Sequence, residues 1–200
     1  SYHSSSDADL MYAHYYNGAW HIQHVETISG TGHPYTSIQV DSAGMPHIAF
    51  GDPGNGAVRY TRRVGATWQT ETIAVVGGFG DEVSLVLDTQ DHPHIAYHDD
   101  TLDALRYAYH DGAAWHIETV DAPYASGWPS LALDSAGLPR ISYQDRWDGT
   151  LNYATYNGST WQRKAVDSGR PAYTSLALDS IDRPHIGYTA DSELRYATFD

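Results

Sequence analysis

DTQDHPHIAYHDDTLDALRYAYHDGAAWHIETV, residues 88–120, is one nearly complete copy of a unit that recurs along the chain. Its landmarks are a turn aspartate, a proline five residues later, a Leu-x-Tyr-Ala element, and a tryptophan ten residues after the leucine. The aspartate returns as Asp41, Asp88, Asp134 and Asp179, at steps of 47, 46 and 45. The proline returns as Pro46, Pro93, Pro139 and Pro184. Leu10–Tyr12, Val58–Tyr60, Leu105–Tyr107, Leu151–Tyr153 and Leu194–Tyr196 repeat the Leu-x-Tyr element, and Trp20, Trp68, Trp115 and Trp161 repeat the tryptophan. Self-similarity at such a period marks a repeat architecture, in which each unit is one supersecondary element.

Each unit carries four short strand signals. The first is SIQVDS, SLVLDT or SLALDS, alternating apolar residues that stop at a turn such as DSAG. The second follows the proline, as in PHIAFGD and PHIAYHD; proline at a strand's first residue removes no interior ladder bond. LRYAYHD and LNYATYN exemplify the third strand, and the tryptophan opens the fourth. Between third and fourth lie hairpin signals such as Asn17-Gly18 and Asp111-Gly112. The expected fold is all-β, a β-propeller of four-stranded antiparallel blades of about 46 residues each. The chain divides into a partial blade over 1–25, blades at about 35–73, 82–120 and 129–166, and a partial blade over 174–200, forming one propeller domain or a segment of one.

Composition narrows the function classes. With 41% hydrophobic residues the chain can bury a core, and no apolar run is long enough to span a membrane as a helix. A formal net charge of −14 argues against nucleic acid or an anionic membrane as partner and favours solubility. Cysteine is absent, so disulfides, thiolate metal sites and a cysteine nucleophile are excluded. A cysteine-free repeat rich in Tyr, Trp, Asn and Gly fits a secreted, extracellular bacterial protein, although its first residues read as the end of a repeat and not as a leader. Strand three occurs five times and strand four only four times, so a neat four-bladed monomer is not expected. The incomplete terminal blades allow a homo-oligomer that completes them between chains.

At these residues the chain resembles bacterial β-propeller repeats whose blades read S-L-A-L-D-S-x-G-x-P-H-I-S-Y, then L-x-Y-A, then G-S-x-W. More distantly it resembles NHL, sialidase-like and propeller-lectin proteins. The sialidase Asp-box is half matched by Asn157-Gly158-Ser159-Thr160-Trp161, without its Ser-x-Asp portion. No catalytic residue carries over, and the fold hosts lyases, hydrolases, lectins and scaffolds alike.

The repeats act as a filter for chemistry. Residues at shared repeat positions, such as the turn aspartates, His47, His94 and His185 (Arg140 in the fourth copy), Arg59, Arg106 and Arg195, and the strand-four tryptophans, read as structural. All length variation falls in the connections from strand four to strand one and from strand two to strand three, which a meander places on one face. Loops that vary over a rigid scaffold are where binding concentrates. Trp128 and Trp147 are the two tryptophans outside the strand-four position, both on loops of one blade. With Arg146, Asp145, Tyr124 and His98 they form the candidate ligand site, with aromatic faces for a sugar ring beside donors and acceptors for its hydroxyls. Asp99-Asp100-x-x-Asp103 and Asp145-x-x-Asp148-Gly149 cluster oxygen ligands suited to Ca2+, but neither matches the EF-hand loop, and turn chemistry is the preferred reading. Asp81-Glu82 is a candidate acid/base pair, and His33, His98 and Arg146 are the loop groups a lyase would draw on. The expected function is a non-catalytic, lectin-like carbohydrate-binding module whose partner is a glycan or protein. The alternatives are a scaffold assembling by blade completion and a polysaccharide lyase or hydrolase fragment.

Overall fold

Alternating apolar and polar residues, broken at fixed intervals by Asp-, Asn- and Gly-containing turns, give strands and no helix among the described residues. The structure is a computed structural model that describes residues 1–3, 9–28, 30, 35–77, 82–124 and 127–199. The first sheet holds β1 (Tyr2–His3), β2 (Asp9–Tyr16) and β3 (Ala19–Thr27). The second holds β4 (Thr36–Val40), β5 (Pro46–Asp52), β6 (Ala57–Val64) and β7 (Thr67–Val75). The third holds β8 (Val83–Leu87), β9 (Pro93–Asp99), β10 (Ala104–His110) and β11 (Trp115–Asp121). The fourth holds β12 (Ser130–Leu133), β13 (Pro139–Asp145), β14 (Thr150–Tyr156) and β15 (Trp161–Ser168). The fifth holds β16 (Ala172–Leu178), β17 (Pro184–Ala190) and β18 (Glu193–Thr198). Among the described residues every sheet is an antiparallel meander in chain order.

Local chemistry recurs from sheet to sheet. Each turn aspartate accepts two backbone N–H groups through Oδ1: Asp41 from Ala43 and Met45, Asp88 from Gln90 and His92, Asp134 from Ala136 and Leu138, and Asp179 from Ile181 and Arg183. The four repeat prolines open β5, β9, β13 and β17. Asn17 and Gly18 both adopt positive φ, 51° and 80°, the two-residue turn whose twist suits a hairpin. Strands three and four slip register after Leu10, Val58, Leu105 and Leu151, a bulge at the same place in four sheets.

Consecutive sheets stack face to face. Four apolar clusters form, each between one sheet and the next, around Leu10 with Phe50, Val58 with Tyr97, Leu105 with Tyr143, and Leu151 with Tyr188. Leu10, Val58, Leu105 and Leu151 are all 0% exposed. The first strands are tied by serines: Leu85 N–H donates to Ser37 Oγ, Leu131 N–H to Ser84 Oγ, and Leu176 N–H to Ser130 Oγ, at 2.9–3.0 Å. On the face of the one-to-two turns, Asp91 holds Ser42 and Asp182 holds Ser135.

Deeper in the stack lies a polar relay. The Tyr60 hydroxyl meets His47 Nδ1 at 2.5 Å, and His47 Nε2 meets Asp41 at 3.3 Å. Tyr107 and His94, with Asp88 beyond, repeat the arrangement, as do Tyr196, His185 and Asp179. Burial holds the His47 and His94 rings below the usual histidine pKa and raises Tyr60 and Tyr107 well above the usual phenol value. In His47 a neutral ring carrying its proton on Nε2 then accepts from tyrosine and donates to aspartate, while the Nε2 atoms of His94 and His185 stand farther from theirs, at 3.6 and 3.7 Å. In the fourth sheet Arg140 replaces the histidine and pairs with Asp134.

Candidate functional site on the loop face

The four-to-one and two-to-three connections interleave on one face. Thr101 N–H donates to Val76 O, Tyr124 N–H to Asp103 O, and Arg170 N–H to Gly149 O. Packing is close enough that a Cβ on Gly30, whose φ is +95°, would lie 2.7 Å from Gly54 N.

Trp147 stands at the tip of the loop between β13 and β14 and is 76% exposed. Its ring stacks on Tyr124 at 4.9 Å and 23°. Because Tyr124 covers one side of the indole, that high exposure leaves the opposite face open. Tyr124 is fixed by backbone bonds on both sides, to Asp103 O and from Arg146 N–H. It holds φ at 73°, a conformation that costs a residue with a Cβ about 1 kcal/mol or more. Trp128 and Tyr173 also have positive φ, 44° and 51°.

The rest of the predicted set divides between support and a second cluster. Asp145 is buried, and its Oδ1 accepts Trp147 and Asp148 N–H, so its carboxylate shapes the loop that carries the tryptophan. Asp99 does the same for Thr101 and Leu102, so the position belongs to the repeat. His98 is buried too, 3.2 Å from Asp100 and 3.5 Å from Asp103, beneath the loop that anchors Tyr124. Among the described residues no group of three or more His, Asp or Glu side chains is placed to hold a metal ion.

Trp128 turns away from Trp147. It lines a cleft of about 230 Å3 with Tyr35, Glu82 and Tyr173, one residue from each of four sheets where the first strands converge. Trp128 and Tyr173 rings lie 4.9 Å apart. Glu82 accepts Trp128 N–H at 2.7 Å and pairs with Arg146 at 2.8 Å, while the Arg146 guanidinium lies 5.5 Å from the Trp128 ring centre. Arg146 is therefore the link between the two aromatic groups, with its main chain on Tyr124 and its side chain on Trp128. Glu82, read as half of an acid/base pair, is held in this salt bridge; Asp81 and His33 lie outside the described residues.

Tyr35 and Tyr173 were not singled out from the sequence, although a signal was there. Tyr35, Glu82, Trp128 and Tyr173 each stand two residues before the tying serine position, at Ser37, Ser84, Ser130 and Ser175. Trp128 thus occupies a repeat position that is aromatic or acidic in every unit, whereas the equivalents of Trp147 are Gly54, Thr101 and Ser192. Of the two tryptophans, Trp147 alone departs from the repeat.

No protein-family model matches the sequence, and comparison with curated protein sequences gives no match. Solved structures do match. A mutant of the Aleuria aurantia lectin in complex with Fucα1-6GlcNAc superposes with a TM-score of 0.70 at 14% identity, covering 98% of this chain and 68% of that one. A GH43_1 enzyme from Xanthomonas citri gives a TM-score of 0.52 at 12% identity, covering 90% and 74%. At these identities the likeness is one of fold. It makes the stacked antiparallel sheets, three of four strands and two of three strands among the described residues, β-propeller-like.

Proposed function

We propose that the protein is a non-catalytic, lectin-like carbohydrate-binding module that takes a sugar ring on Trp147. The observation that carries this is the open indole face, 76% exposed, backed by Tyr124 and unique among the repeats. An aromatic platform fits the apolar face of a pyranose, and exposed polar groups at the rim serve its hydroxyls. The Arg146 side chain is committed to Glu82, so it positions the platform, with little left to donate. The lectin neighbour's complex with a fucosylated disaccharide agrees with a sugar as the ligand class. Catalysis is the weaker reading, because Glu82, Asp99 and Asp145 are each engaged by neighbouring groups.

The test is a glycan array followed by calorimetric titration of the best ligand. Trp147→Ala should weaken binding roughly tenfold, the scale of one lost stacking surface with its burial. An unchanged affinity moves the site elsewhere. No binding to any glycan favours an interaction scaffold.

A further inference from the structure

The four interfaces between sheets share their apolar packing, and one of them lacks a polar contact that the others have. At the bulge between strands three and four, Leu10 pairs with Glu26, Val58 with Ala74, Leu105 with Asp121 and Leu151 with Asp167. The three acids each reach the next sheet. Glu26 pairs with Arg59. Asp121 accepts the Tyr143 hydroxyl at 2.6 Å and pairs with Arg163 at 2.7 Å. Asp167 accepts the Tyr188 hydroxyl at 2.6 Å and pairs with Arg195 at 3.1 Å. Between the second and third sheets the partners for such an acid are in place. Tyr97 holds the position of Tyr143 and Tyr188, and Arg106 that of Arg59 and Arg195. Ala74 gives them no carboxylate.

Arg106 shows the gap. Its Nε–H is buried without an acceptor among the described residues, while Nη1 donates to the Thr119 hydroxyl at 2.7 Å. The guanidinium lies against the hydroxyl of Tyr97, whose side chain is buried. Asp99 of the neighbouring strand has Oδ1 taken up by Thr101 and Leu102 N–H. A guanidinium with a buried, unmet donor is destabilising, and a carboxylate set against its fork removes that penalty. Val75, beside Ala74, is exposed, and so is Thr119, so the position opens to solvent along the outermost strands.

We propose that the groove between the second and third sheets binds a carboxylate from outside the chain, on Arg106, Tyr97 and Thr119, where Ala74 stands in place of an acid. Alanine differs from aspartate by that one group, so the vacancy matches a carboxylate and little more. The ligand is a small carboxylic acid, free or carried on a sugar ring as in a uronic acid. Arg106 supplies the charge and Nε–H, and the Tyr97 hydroxyl donates as Tyr143 and Tyr188 do in their own interfaces. None of these residues belongs to the Trp147 platform, so the inference stands apart from the glycan reading.

Acetate is the first probe. At neutral pH, about 100 mM acetate should raise the Tm by about 2–4 °C over equimolar chloride, for a dissociation constant on the order of tens of millimolar. Ala74→Asp supplies the carboxylate from the chain and should abolish that difference, as should Arg106→Gln. Broadening of the acetate methyl NMR signal by the folded proteins makes the same comparison directly, whatever the substitutions do to stability. Methyl β-glucuronide, with methyl β-glucoside as its neutral control, separates the two sources. Tighter binding of the glucuronide than of acetate makes the ligand an acidic sugar, and the reverse order makes it a free small acid. Equal melting in acetate and chloride without line broadening overturns the proposal, as does an acetate effect that persists in Ala74→Asp. So does an effect seen only in Asp81→Asn, since the chain's own acid would then be the occupant.

Discussion

Tyrosine, histidine and aspartate form the relay at the residue scale, and its protonation has a direction. Burial lowers the His47 and His94 pKa in the folded state, so at mildly acid pH the unfolded chain binds protons that the folded chain refuses. Their contribution to stability is complete above the ordinary histidine value of 6.5 and declines as pH falls from there toward the folded values. Thermal melts from pH 7.5 to pH 5 should therefore show a falling Tm. A His47→Gln, His94→Gln double variant should be less stable at neutral pH and show a flatter pH dependence; a slope as steep as that of the parent would remove the relay as its cause. The sequence placed these histidines at a structural position, but their partners come from other strands, and no local spacing names Tyr60 or Tyr107. The Glu82–Arg146 pair was likewise beyond reach, because it joins residues far apart in the chain across two sheets. Trp147 departs from its counterparts Gly54, Thr101 and Ser192, which the sequence shows directly, whereas Trp128 stands at a position held elsewhere by Tyr35, Glu82 and Tyr173, an equivalence that emerges only once the tying serines are known.

Single elements were the most legible part of the molecule. Alternation, proline and turn residues mark strands directly, because each acts within a few residues of itself. The bulge in the third and fourth strands was not legible, since Leu10, Val58, Leu105 and Leu151, where it falls, read as ordinary strand residues. Serine ties between first strands belong to the same class of hidden feature. Removing the Ser84 hydroxyl leaves Leu131 N–H without its acceptor, which should cost about 1–3 kcal/mol. Ser175, its counterpart in the fifth sheet, is exposed, and Ser175→Ala should change stability by less than about 0.5 kcal/mol. Urea denaturation of the two variants side by side checks the contrast. Equal effects would show that the hydroxyl bond between sheets contributes nothing.

Across the whole molecule, the four internal interfaces are built alike, and the end faces of the stack present what those interfaces bury. Fold class could be read from the repeat because one unit implies the next. Net charge of −14 keeps copies apart at low salt and opposes any contact between them.

Lys164 is the sole lysine in this sequence, and its ammonium lies over the Phe199 ring at the mouth of the open cleft between the fourth and fifth sheets. Apart from the α-amino group, the chain thus offers amine-reactive reagents a single address. That makes the cleft self-reporting. A fluorophore coupled there would need no engineered attachment point and would report occupancy of the cleft through a change in emission. Acetylation of the same amine, followed by mass spectrometry, should slow when the cleft is filled and proceed unchecked when it is empty.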